Sequence, residues 1–136
     1  MGNEIKKIKT LIVSSEEKSV EFIRSCFNGI SNSEIKISAA ERDAEKELSE
    51  REFDIVIINS PLEDGSGKKL AALTAKICDA QILLIVKKDL YNNAVKTADE
   101  NGYFCVSKPM SKDFLSQTIR LLSTMAKKVK KMEKVY

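Results

Sequence analysis

Short apolar runs alternate with amphipathic segments along the whole chain. Residues 8–13, 34–39, 53–58, 80–86 (or 81–86) and 103–106 are rich in β-branched and other apolar side chains and end in turn signals, which predicts five strands. Between them the period changes to that of a helix. Val20, Ile23, Phe27 and Ile30 recur at helical spacing after a capping-box pattern of Ser14 and Glu17, and Gly29 is a natural stop. Ala44 and Leu48 mark one face of a charged helix over residues 40–51. Leu70, Leu73 and Ile77 mark the next, over residues 68–77, and Leu90, Ala94, Val95 and Ala98 one over residues 90–100 that Gly102 ends. Ser111 caps a last helix that starts at Lys112.

Strands and helices in strict alternation predict an α/β doubly wound parallel sheet, and right-handed crossovers leave few arrangements. The expected one is flavodoxin-like, with strand order 2-1-3-4-5. The third strand is apolar on both faces, as a central parallel strand should be, and closes on Asn59 and Ser60 before Pro61 and the turn Asp64-Gly65-Ser66-Gly67. In such a sheet the carboxyl ends of the strands hold ligands and chemistry, and Asn59 stands there.

No Pro or Gly interrupts the chain after Lys112, so the last helix is expected to outrun the sheet. Leu115, Leu122, Val129 and Tyr136 fall at steps of seven, with Met125 and Met132 three beyond Leu122 and Val129, which is a heptad seam for a homodimer. A helix that simply frays in solvent is the alternative. The expected division is a domain over residues 1–123 and a helical extension over 124–136, the start of a coiled coil or a linker.

Composition narrows the functions. The chain of 136 residues is 43% hydrophobic, enough for one domain with a real core. There is no apolar run of membrane-spanning length and no signal-peptide pattern at the start, so a cytoplasmic location is expected. Cys26, Cys78 and Cys105 are odd in number and each lies in an apolar segment, which reads as free thiols. Without a single histidine, a zinc site or a His-based triad has almost no raw material, and no metal or cofactor is expected. The net charge of +3 is concentrated in Lys127, Lys128, Lys130, Lys131 and Lys134, which against Glu133 give residues 126–136 a net +4, leave the first 125 residues at about −1 and give the body no nucleic-acid-binding character. Asp64-Gly65-Ser66-Gly67 lacks the spacing and lysine of a P-loop.

Two stretches carry a family resemblance. Phe53 to Gly67 resembles the third strand and following loop of two-component response regulator receiver domains, with Asn59 at the phospho-acceptor position. Cys105-Val106-Ser107-Lys108-Pro109 resembles the family's fifth strand with its Lys-Pro pair. The resemblance implies a receiver with most of its site chemistry replaced. Asn59 offers a neutral amide where an acyl phosphate needs a carboxylate. Ser14 and Ser15 stand where the family has an acidic pair for Mg²⁺, and hydroxyls are poor substitutes for a hard cation. Val86 or Lys87, depending on the count, stands at the Ser/Thr position, and Cys105 at the switch aromatic, with Phe104 beside it. Only Lys108 and Pro109 match.

Each of these residues also has a plainer reading: Asn59 as a turn residue, the two serines as helix caps, Lys108 as a surface lysine. On the pocket reading, Lys108 is expected to hydrogen-bond the side-chain carbonyl of Asn59, directly or through one water. Any ion there should be an anion.

A degenerate receiver followed by a basic helix resembles the N-terminal half of ANTAR-type transcription antitermination regulators. That resemblance implies a regulatory and dimerising module, not an enzyme, with RNA reached only through an output domain not present here. The alternatives are a genuine phosphorelay receiver with a non-standard acceptor such as Asp64, and a stand-alone module that binds a protein partner through its fourth and fifth helices.

Overall fold

The computed structural model describes residues 7–30 and 33–133. Within them the chain runs β1 (Ile8–Val13), α1 (Glu17–Ser25), β2 (Ser33–Ser38), α2 (Glu41–Glu50), β3 (Ile55–Asn59), α3 (Lys68–Ile77), β4 (Gln81–Lys87), a single 3-10 turn (Lys88–Leu90), α4 (Tyr91–Asn101), β5 (Phe104–Lys108) and α5 (Lys112–Glu133). All pairings are parallel and the order is β2-β1-β3-β4-β5, the flavodoxin-like arrangement that the alternating pattern predicts. Every strand therefore ends at the same pole. The order reverses between β1 and β3, and this switch point is where a doubly wound sheet opens a crevice.

Strand periodicity divides the core in two. Leu11, Val13, Val56, Ile58, Ile82, Leu84 and Val86 face α2, α3 and α4, while Ile8, Ile12, Ile55, Ile57, Leu83 and Ile85 face α1 and α5. Continuing the alternation to the strand ends places Asn59 on the α1/α5 side. Gly67 starts α3 in the left-handed region, φ 81°, and a Cβ there would fall 2.7 Å from Ile58 Cγ2, so both backbone and packing demand glycine.

Several local expectations change. Glu16, not Ser14, is the N-cap residue of α1, and no side chain caps that helix, because the Ser14 hydroxyl is engaged at the pole instead. Strand β3 begins at Ile55 and not at Phe53. Asp54 marks the edge, its carboxylate accepting the Lys9 N–H at 2.8 Å and facing Lys130 Nζ at 3.3 Å. Strand β5 starts one residue later than predicted and runs on to Lys108, because its ladder with β4 continues through Val86↔Ser107 and Lys87↔Lys108.

The largest correction concerns α5. Ser111 does cap it, accepting the Phe114 N–H at 3.0 Å. The stripe that packs on the sheet is Leu115, Ile119, Leu122 and Ala126, so two residues of the expected dimer seam, Leu115 (0% exposed) and Leu122 (1%), belong to the domain's own core. Met125 is 37% and Met132 62% exposed, while Val129 is half-buried. Ser123 and Ala126 are buried as well, and Lys130 reaches Asp54. The helix is about 33 Å long at 1.5 Å per residue, and the sheet's underside occupies more of it than the uninterrupted sequence suggests. Tyr136, the last residue of the heptad reading, lies outside the described residues. No helix among the described residues is long and apolar enough to cross a membrane.

Candidate functional site

The switch point brings Ser14, Asn59 and Lys108 to one place, at the carboxyl ends of β1, β3 and β5. Asn59 is nearly buried, 3% exposed, and its Nδ2 donates to Ser14 Oγ at 3.2 Å. The Glu16 N–H approaches the same oxygen at 3.4 Å. Ser14 is thus an internal acceptor for the asparagine amide. Ser15 points elsewhere: its hydroxyl donates to the Ala39 carbonyl and accepts the Glu63 N–H at 3.0 Å. It ties the end of β2 to the β3–α3 loop.

Lys108 does not bond Asn59. Its Nζ donates to the main-chain carbonyl of Ser60 at 2.8 Å, one residue past the acceptor position. This corrects the direct form of the expected side-chain bond. Loss of solvent lowers the ammonium's pKa from its ordinary value; Glu16 opposes that shift and Lys87 adds to it. No carboxylate forms an ion pair with Lys108 among the described residues, in keeping with serines where the acidic pair would stand.

The remaining candidate residues lie around the same end of the sheet. Val86 is buried in the core facing α2 to α4, and Lys87, level with Lys108, is exposed; neither brings a hydroxyl to the pole. Cys105 is half-buried against that same core, its thiol pKa pushed up first by burial, then by Asp99, with Lys68 opposing. Pro109 is exposed.

One functional contact had no sequence signal of its own. The Asp64 carboxylate accepts the N–H groups of Glu41 at 2.7 Å and Arg42 at 3.1 Å, so it caps α2 from the β3–α3 loop across 22 or 23 residues of sequence. Those bonds hold its pKa below the ordinary 3.8. The turn Asp64-Gly65-Ser66-Gly67 gives no hint of it, because a long-range cap is visible only once α2 and the loop are adjacent.

The receiver resemblance implies Mg²⁺, and the residues present do not fit it. The candidate ligands are two hydroxyls and an amide, both hydroxyls already hydrogen-bonded within the protein, where the ion would need carboxylate oxygen. Among the described residues no group of three or more His, Cys, Asp or Glu could hold a metal ion.

The comparisons with known proteins divide between sequence and fold. A family model described as "Methyltransferase small domain" matches residues 2–105. No curated protein matches the sequence. Solved structures align over nearly the whole chain. The signal receiver domain of an HD domain-containing protein from Pseudomonas fluorescens Pf-5 superposes with TM-score 0.81 at 18% identity, covering 96% of this chain and 97% of that one. A CheY-like response regulator receiver domain protein from Methanospirillum hungatei JF-1 gives 0.77 at 16%, with 90% and 98% covered. A response regulator receiver domain protein from Clostridium thermocellum gives 0.76 at 18%, again with 90% and 98% covered.

A methyltransferase implies a nucleoside methyl donor such as S-adenosylmethionine, and the geometry does not fit one. Doubly wound folds that bind nucleotides let the ligand approach the backbone of the first βα turn through glycines. Here that turn is Ser14-Ser15-Glu16, without glycine and with both hydroxyls committed. The cleft at this pole is about 190 Å³, below the usual 300–1,000 Å³ of small-molecule pockets. By the family model that spans residues 2–105, the chain belongs to the methyltransferase small domain family, and it is built on the fold of the CheY-like response regulator receivers.

Proposed function

We propose that this chain is a regulatory receiver-like module that does not accept a phosphoryl group and is not an enzyme. The observation that carries the reading is the Asn59 amide, nearly buried and hydrogen-bonded to Ser14 at the position where a receiver presents its nucleophilic carboxylate. A neutral amide does not attack phosphorus to form an acyl phosphate, and the missing acidic pair removes the metal that would neutralise the incoming charge. The loops around the pole are held without phosphate. Lys108 fixes Ser60, Ser15 fixes Glu63 and Asp64 fixes the start of α2. The site is locked in a single arrangement.

Such a module works through its surfaces. On α5, Phe114, Leu121, Met125 and Met132 are exposed at spacings of seven, four and seven, on a flank beside the stripe packed on the sheet. That stripe is the element for self-association, in place of the Leu115 and Leu122 seam. In a protein that continues into an output domain of the antitermination type, α5 would carry the dimer to it. A cytoplasmic location follows from this role.

Incubation with acetyl phosphate and Mg²⁺ followed by intact mass measurement tests the reading, and no added phosphoryl group is expected. An acid-stable, alkali-labile adduct would overturn it. The family match favours methyl transfer as a second reading, for which calorimetric titration with S-adenosylmethionine is the test. Absence of saturable heat is expected on the geometry of the first turn; saturable binding would favour methyl transfer.

A further inference from the structure

Beside the pole, between α1 and the β5–α5 loop, lies an open cleft of about 190 Å³. Its walls come from Phe22, Ile85 and Met110, and its polar lining includes Lys18, Asn59 and Lys108. The alternation that turns Asn59 toward α1 and α5 also turns Ile85 that way, which is why the altered pole opens on this side. Both charged side chains in the lining are cations, and no carboxylate lines it. Lys108 has three N–H bonds and spends one on Ser60, so two remain available. Phe22 is an exposed aromatic on the rim.

We infer that this cleft is a binding site for a compact organic anion, a single apolar ring bearing a carboxylate, whose body lies on Phe22, Ile85 and Met110 and whose charge lies between Lys18 and Lys108. Size sets the class. An apolar cavity of about 150 Å³ holds benzene, so the cleft of about 190 Å³ has room for one ring with a carboxylate. Charge sets the head group, since an anion gives the partly desolvated Lys108 the counter-charge that a receiver's carboxylates would have supplied. Occupancy would touch Leu115, the first core residue of α5, which also lines the cleft.

The inference rests on the reading that Asn59 stays unmodified, and its test is independent of phosphorylation because no acetyl phosphate is present. The full chain, labelled with ¹⁵N, is titrated separately with benzoate, benzyl alcohol, acetate and inorganic phosphate while amide shifts are followed. Benzoate is expected to give saturable shifts, with a Kd on the order of millimolar, centred on Ser19, Phe22, Asn59 and Met110. Benzyl alcohol should bind about tenfold more weakly, for want of the charge-assisted hydrogen bonds. Acetate and phosphate should not saturate over the same range. Lys108→Gln should abolish the benzoate response and Lys18→Gln weaken it severalfold. Because Lys18 is exposed, its variant keeps the test valid should the Lys108 variant fail to fold. Equal binding of benzoate and benzyl alcohol, shifts scattered over the surface, saturation by acetate or phosphate alone, or benzoate binding unchanged by Lys18→Gln would each overturn the inference. An adduct from acetyl phosphate would instead refute the regulatory reading and leave the titration result standing.

Discussion

Lys108 donates to the carbonyl of Ser60 at 2.8 Å, and not to the side chain of Asn59 one residue earlier. The bond holds the backbone of the β3–α3 loop with a charge that needs no phosphate to keep it there. Lys108→Met is expected to free this loop and to leave a carbonyl without its partner, costing about 1–3 kcal/mol. Urea unfolding at neutral pH measures the loss, and amide exchange should quicken at Leu62 and Glu63 first. An unchanged midpoint with unchanged exchange would show that the bond does not hold the loop.

Asn59→Asp is expected to leave the protein unreactive toward acetyl phosphate. The new carboxylate would face Ser14 and Lys108, but Mg²⁺ would still lack an acidic pair. The substitution should lower stability by about 1–3 kcal/mol, since a charge replaces a satisfied buried amide. Adding Ser14→Asp and Ser15→Asp is needed for metal affinity, yet Ser15→Asp also removes the clamp between Ala39 and Glu63. Isothermal titration with Mg²⁺ should show binding only in the triple variant.

Asp64 should confer an acid-sensitive part of the stability. Its folded pKa is lowered by the Glu41 and Arg42 N–H groups, so its contribution is complete above the ordinary 3.8 and is lost as pH falls through the lower folded value. Asp64→Ala should therefore lower the unfolding midpoint at pH 7, and the difference from the parent should shrink in acid below that ordinary value. A difference independent of pH would rule out the carboxylate cap as its source.

The two sides of α5 should separate in mutagenesis. Leu122→Ala on the packed side should cost about 2–5 kcal/mol. Leu121→Glu with Met125→Glu on the exposed side should leave the unfolding midpoint nearly unchanged and abolish any dimer seen by light scattering. Truncation after Ser123 is a poor probe of the dimer, because it also removes Ala126 from the core and Lys130 from Asp54. A dimer that survives the double glutamate variant would exclude this stripe.

The fold was legible because its signals are local and repeated. Five β-branched runs, separated by helical spacing and turn residues, leave one economical topology, and helix α3 matches residues 68–77 end to end. The meeting of Ser14 and Asn59 at one pole was legible too, since both stand at the carboxyl ends of strands that the pattern makes neighbours. What the sequence could not show were contacts made across the fold. The carbonyl of Ser60 carries no signature as a lysine partner, and Asp64 looks like any turn acid until α2 lies beside it. The seam was misread for a related reason. A heptad of apolar residues fits a dimer or a helix lying on its own sheet equally well, and only the position of the sheet separates Leu122 from Leu121.

The register of the sheet has a consequence for how this protein could be controlled. Because Asn59 falls on the side that α5 covers, the pole and the last helix share a wall, with Leu115 a common stone in both. A guest in the cleft would press on the root of the helix whose far exposed face carries Met125 and Met132. On the proposed reading, reception and output would be adjacent along a single rod, and a change at the cleft would need no relay through the other half of the core to reach the far end of α5.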